Sequence, residues 1–97
     1  MDADFAWDAD KAEQNERKHG VTFEEASSAF SDPLATTISD LRHSAFEQRY
    51  VLLGLSERGR LLVVMHTERG NVVRIISARL ADSRERRRYE EGDEYDE

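Results

Sequence analysis

The sequence predicts an α+β domain: a mostly antiparallel four-stranded sheet with two N-terminal helices and one C-terminal helix. Three observations predict it. The chain has 97 residues, enough for one compact domain and too few for two. Residues 8–32 and 82–91 carry helix caps and stop signals. Residues 34–80 instead alternate with a period of two and are broken by short glycine-bearing turns.

Each element has its own reason. Phe5-Ala6-Trp7 is a short extended segment leading to Asp8, a helix N-cap, and a polar helix runs over residues 9–19 until Gly20 stops it. Thr22-Phe23-Glu24-Glu25 reads as a capping box, with Thr22 on the Glu25 amide and the Glu25 carboxylate returning to Thr22. Phe23, Ala26 and Phe30 then form one apolar stripe, and Asp32-Pro33 ends the helix because the residue before proline avoids the α region. Strands follow at residues 34–38, 49–55, 60–67 and 72–80, with a polar loop over residues 39–47. The run Leu61-Leu62-Val63-Val64-Met65 is apolar on both faces, so that strand is expected at the centre of the sheet. Asp82 caps the last helix, with Glu85 at its third position and Gly92 beyond its end. Residues 1–91 are read as a single domain and residues 92–97 as an acidic, disordered tail.

Composition narrows the function. Apolar residues make up 38% and charged residues 36%, and there is no cysteine, which excludes disulfides, thiolate zinc sites and a cysteine nucleophile. No apolar run is long enough for a membrane span, and the first residues lack the basic start of a secretory signal, so the expectation is cytoplasmic. The net charge of −7 hides its distribution. Residues 1–32 hold nine acids and three bases, residues 33–88 hold eleven arginines and six acids, and residues 89–97 hold six acids and no base. A basic centre of +5 therefore lies between two ends of −6 each. Every base in it is arginine, whose rigid fork of donors suits phosphate and carboxylate.

Candidate chemistry lies in that centre. Simple alternation places Arg74 with Val72 and Ile76 on one face of the 72–80 strand, and Arg79 with Ser77 on the other. Either arginine needs an anion from the protein (Glu47, Glu68 and Glu85 are within reach in sequence) or from a ligand. A symmetric turn at Arg69-Gly70 would set His66 opposite Val73 and Met65 opposite Arg74. His66 could then serve as acid or base in phosphodiester chemistry, or be a half-exposed strand residue. His19 ends a helix, where a capping role competes with catalysis, and His43 sits in the polar loop. Arg84, Arg86, Arg87 and Arg88 crowd the last helix, with Arg84, Arg87 and Arg88 sharing a face. Such a run is either a solvated face or one wall of a phosphate-binding groove. No metal-binding spacing, phosphate loop or serine triad is visible.

Several segments together resemble the BrnT toxins of type II toxin–antitoxin systems. They are Trp7-Asp8, Asp10-Lys11, Asn15, Lys18-His19-Gly20-Val21, Phe23-Glu24-Glu25-Ala26, Asp32-Pro33, Gly59-Arg60, Ile75-Ile76-Ser77-Ala78-Arg79 and Glu85-Arg86-Arg87-Arg88-Tyr89-Glu90, in that order. The resemblance covers about residues 5–91. It implies a RelE-like fold and a metal-independent endoribonuclease, without a cofactor, that inhibits translation. Its partners would be RNA and a BrnA-like antitoxin with a ribbon-helix-helix DNA-binding domain, through which the pair reaches operator DNA. Carried over by position, Lys18, His19, Arg79 and Glu85 are site candidates, with His66 added as a proton-transfer candidate. Arg74, Arg84, Arg87 and Arg88 are the RNA-binding candidates. The alternative is a non-catalytic module that binds the antitoxin through its basic centre and acts as co-repressor.

Overall fold

A computed structural model of the chain describes residues 4–44 and 46–92. Among these, five strands form one sheet: β1 (Asp4–Ala6), β2 (Thr36–Ser39), β3 (Arg49–Leu55), β4 (Leu61–Arg69) and β5 (Val72–Leu80), in the order β1-β5-β4-β3-β2. The helices are α1 (Ala9–His19), α2 (Phe23–Ser28) and α3 (Ser83–Glu90), with single 3-10 turns at Ala29–Ser31 and Leu41–His43. The expected four antiparallel strands are present, but the sheet has five strands and is mixed. β1 lies parallel to β5, through pairs from Asp4–Val72 to Ala6–Arg74. A three-residue extended segment carries no local mark of a partner at the other end of the chain.

Local signals set most boundaries. Asp8 Oδ1 accepts the Lys11 N–H at 3.0 Å to start α1, and Gly20, at φ 71°, takes the left-handed turn that ends it. Thr22 Oγ1 accepts the Glu25 N–H at 3.0 Å. The expected return of the Glu25 carboxylate to Thr22 does not occur. That carboxylate, 2% exposed, is gripped instead by Arg60, whose Nε donates at 2.9 Å while its Nη2 also bonds, and by Ser56 Oγ at 2.8 Å. A buried carboxylate needs such partners, and here they tie α2 to the β3–β4 turn. The Arg60 hydrogen bond holds the Glu25 carboxyl below its ordinary range against the opposing effect of burial. β2 starts later than expected because the Asp32 carboxylate and carbonyl accept the Leu34 and Ala35 N–H groups, forming a turn after the helix.

The core lies on one face of the sheet. Val21, Phe23, Ala26 and Ala29 pack onto Leu52, Leu62, Val64, Val73, Ile75 and Ala78, with Phe5, Trp7, Ala12, Phe30 and Ala35 around them. Gly54 permits the closest approach: a Cβ there would meet the Ala29 carbonyl oxygen at 2.9 Å and Ala35 Cβ at 3.0 Å. β4 is central, as its doubly apolar run implies.

The pairing of β4 with β5 contains an irregularity. Met65 faces Ser77, but His66 faces Ile75, so Ile76 is an extra residue, a β-bulge. The expected pairs His66–Val73 and Met65–Arg74 are therefore replaced by His66–Ile75 and Thr67–Arg74. The alternation of β5 flips at the bulge. Val73, Ile75, Ala78 and Leu80 face the helices, whereas Val72, Arg74, Ser77 and Arg79 share the opposite face.

Among the described residues, no strand pairs with the outer side of β5 beyond Arg74, and α1 supplies a substitute. Buried Asn15 accepts the Ala78 N–H at 3.1 Å and donates to the Ala78 and Val21 carbonyls at 2.8 and 3.0 Å. One side chain thus pairs both backbone groups of Ala78 at the strand edge. Asn15→Leu, which roughly keeps the volume, should lower stability by roughly 2–3 kcal/mol because it strands buried polar groups. Urea unfolding should show a lower midpoint with an unchanged m-value.

Candidate functional site

The face opposite the helical layer is only partly covered. β3, β4 and β5 contribute three successive rows across it: Arg49, Thr67 and Arg74; then Val51, Met65 and Ser77; then Leu53, Val63 and Arg79. The short helix α3 lies beside the third row. Between helix and sheet runs a cleft floored by Ile38, Val51, Leu53 and Val63 and walled by Glu85 and Arg88, with a volume of about 120 Å³. Small-molecule sites occupy about 300–1,000 Å³, so the cleft suits part of an extended ligand better than an enclosed cofactor.

Helix α3 is fastened by polar contacts, since none of its residues is buried. At its start, Asp82 and Glu85 form a complete capping box: Asp82 accepts the Glu85 N–H at 2.8 Å and Glu85 accepts the Asp82 N–H at 2.9 Å. The Glu85 carboxylate simultaneously takes two bonds from Arg79, Nη1–Oε1 at 2.9 Å and Nη2–Oε2 at 2.8 Å. The Arg79 hydrogen bond, opposed by burial and helped by Asp82, brings the Glu85 carboxyl down to about 2, and the same contact raises Arg79. At the other end, Tyr89 Oη donates to Asp32 Oδ2 at 2.6 Å, an oxygen that also accepts the Leu55 N–H at 2.8 Å. That hydrogen bond, with burial, pushes the Tyr89 phenol up to about 12. Burial pushes the Asp32 carboxyl up, but its hydrogen bonds from Tyr89, Leu55 and Leu34 outweigh this and leave it lowered. Sequence alone shows Asp32 as a helix terminator, and nothing local joins it to Tyr89.

The candidates fall into separate places. Arg79 and Glu85 touch, and Arg74 shares their face. Arg84, Arg86, Arg87 and Arg88 are all exposed, and only Arg88 lines the cleft. Lys18 and His19 sit elsewhere, in a second cleft at the β5 edge with Gln14, Asn15, Ile76 and Ser77. Ser77 links the two regions, because it also lies in the row between those of Arg74 and Arg79. His66 does not join either. It is 0% exposed on the helical face, packed between Phe30 (centroids 4.8 Å apart) and Tyr50 (5.7 Å), and its Nε2 meets Glu68 at 3.0 Å. Its expected place beside the arginines fails because β4 alternation directs it away from Thr67 and Met65. The three acids considered as arginine partners divide accordingly: Glu47 binds Arg69, Glu68 binds His66 and Glu85 binds Arg79. Arg74 has no ion pair among the described residues, although its charge helps lower the Asp8 carboxyl, after the larger effect of the Lys11 N–H. The His43 side chain and residues 93–97 of the acidic tail lie outside the described residues. Among the described residues, no group of three His, Asp or Glu side chains could hold a metal ion, and no helix is long and apolar enough to cross a membrane.

A small α+β domain with an arginine-lined open sheet face fits the class to which family comparison leads, the toxin halves of toxin–antitoxin pairs. Residues 7–85 match the family model described as the ribonuclease toxin BrnT of type II toxin–antitoxin systems, and the chain belongs to this family. Lys18, His19, His66, Arg74, Arg79 and Glu85 fall within the matched segment, whereas Arg86, Arg87 and Arg88 follow it. Among solved structures, the crystal structure of the Brucella abortus ribonuclease toxin BrnT has a similar fold, with a TM-score of 0.65 and 23% identity over 84% of this chain and 99% of that one. No curated protein matches the chain.

The Arg79–Glu85 pair has a measurable signature in acid. Glu85 ionises at about 2 in the folded chain against an ordinary value of 4.5. Its stabilisation is therefore complete above about pH 4.5 and is lost as pH falls towards 2. Thermal melts between pH 6 and pH 2 should fall less steeply for E85Q than for the native chain within that window. Parallel curves would show that the pair contributes nothing.

Proposed function

We propose that the chain is a metal-independent endoribonuclease that acts on the arginine-bearing sheet face and halts translation by destroying RNA. The supporting observation is the fixed orientation of Arg79. Its guanidinium has five N–H donors; Glu85 and the Leu80 carbonyl use three, leaving Nε–H and one Nη2–H. Those two lie on one edge of the guanidinium, the fork that grips two oxygens of a phosphate. The family's description as a ribonuclease toxin supports RNA as the substrate.

Cleavage requires the 2′-hydroxyl to lose a proton, attack phosphorus in line and expel the 5′-oxygen, which takes up a proton. In this reading Arg79 stabilises the charge that grows on the phosphate, and Glu85 orients Arg79. A carboxylate that titrates near 2 is a weak base at neutral pH. Proton transfer belongs to His19 and Lys18 in the cleft that Ser77 joins to the arginine face, because buried His66 is on the wrong side of the sheet. Arg74 and the exposed Arg84, Arg87 and Arg88 hold flanking RNA. The neutralising partner is a BrnA-like antitoxin with a ribbon-helix-helix domain, and the pair together binds operator DNA.

Purified chain should degrade RNA in the presence of EDTA, and Arg79→Ala should slow cleavage by roughly 10²–10³-fold. Wild-type rates from a folded Arg79→Ala protein, or complete inhibition by EDTA, would overturn the proposal. Induction of the chain alone should arrest bacterial growth with loss of intact RNA; a pure co-repressor would leave both unchanged.

A further inference from the structure

The first row of the arginine face holds an unspent set of donors. Thr67 is 2% exposed, and its Oγ1 has no hydrogen-bond partner among the described residues. Buried hydroxyls are nearly always paired, and an unpaired one costs about 1–3 kcal/mol. Its neighbours in register are Arg49 on β3 and Arg74 on β5. Neither guanidinium has a hydrogen bond or ion pair among the described residues, in contrast to Arg58, Arg60, Arg69 and Arg79, which all have glutamate partners. At the usual strand spacing of about 4.8 Å, the two arginines start about 10 Å apart with the threonine between them. Two cations without ion-pair partners, in register on either side of an unpaired hydroxyl, bring together the charge and the donor that a phosphate oxyanion requires.

We propose that Arg49, Thr67 and Arg74 form a phosphate subsite separate from the Arg79–Glu85 pair, filled by the backbone of the RNA strand. The inference rests on the reading of this face as the RNA surface. Charge decides between the two positions. Glu85 offsets the charge of Arg79, so the stronger ground-state attraction for an anion lies at the row that has no carboxylate partner. Four residues of β4 separate Thr67 from Val63, the neighbour of Arg79, or about 13 Å. An extended strand laid along β4 would rest its bases on Val51, Met65 and Val63, with one phosphate held at Thr67 and another presented to Arg79.

Thr67→Val tests this, because it removes the hydroxyl and keeps the shape. Binding is measured with a 2′-O-methyl oligoribonucleotide, which resists cleavage, so the result is independent of catalysis. Thr67→Val should bind about tenfold more weakly while being at least as stable as the native chain, since the unpaired buried hydroxyl is gone. An Arg49→Ala/Arg74→Ala double variant should lower the slope of log affinity against log salt by about 0.7, the value of one single-strand phosphate contact. Inorganic phosphate serves as the second probe: hydroxyl-dependent phosphate binding without oligomer binding keeps the subsite and assigns it to a free anion. Unchanged affinity of Thr67→Val for both probes overturns the inference, as does Thr67-dependent binding of an oligoglutamate peptide in their place. Weak oligomer binding by Thr67→Val alongside wild-type cleavage by Arg79→Ala would preserve the subsite and remove the catalytic reading.

Discussion

The unpaired Ile76 in β5 reverses the strand's alternation halfway along, and the arginine-bearing face depends on that reversal. Without the extra residue, Arg74 and Arg79 would point to opposite sides of the sheet, one of them into the helical core. With it, Val73, Ile75 and Ala78 all pack inward, and both arginines turn outward beside Ser77. The bulge also brings Ile76 and Ser77 to the β5 edge, where Lys18 and His19 line the adjoining cleft. Bulges bend strands and redirect side chains at some local cost in pairing. Here the cost falls at the place where α1 offers Asn15 as a substitute edge.

Three polar contacts tie separate elements of this molecule together. Arg60 and Glu25 pin α2 to the β3–β4 turn, Arg79 and Glu85 fasten the start of α3, and the Asp32–Tyr89 contact fastens its end. These contacts divide the arginines into two populations. Arg58, Arg60 and Arg69 are matched to glutamates that hold the framework, and Arg79 is matched to Glu85 with two donors left over. Arg49, Arg74 and the exposed arginines of α3 have no ion pair among the described residues. The net charge of −7 averages over both groups and over the acidic ends, so it says little about the field above the sheet.

What the sequence reveals and what it hides separate by range. Asp8, Gly20, Thr22 and Asp82 mark helix ends through contacts within a few residues, and β3 and β5 are bounded as their alternation implies. Contacts between distant segments leave no such mark. The Glu25 carboxylate prefers Arg60 to its own helix start, β1 finds β5 across nearly the whole chain, and Asp32 meets Tyr89 in the last helix. His66 misleads for a related reason. A histidine in an apolar strand looks like a reactive group, and only the register shows it beneath Phe30 and Tyr50. The Arg79–Glu85 pairing was the accessible exception, since the two residues are six apart and joined by a capped turn.

The two sides of the sheet differ in what they offer a passing strand. On one side, β1 is only three residues long and Asn15 occupies the backbone of β5 beyond it. On the other, β2 is an edge strand bearing the exposed Ile38 and followed by exposed Leu41 and Phe46. A sheet receptive along one margin can accept a single added strand. If a second copy used that margin, the two would meet about a two-fold axis and consume each other's open edge. Pairing confined to one margin closes on itself, whereas fibre growth needs two open edges on each copy.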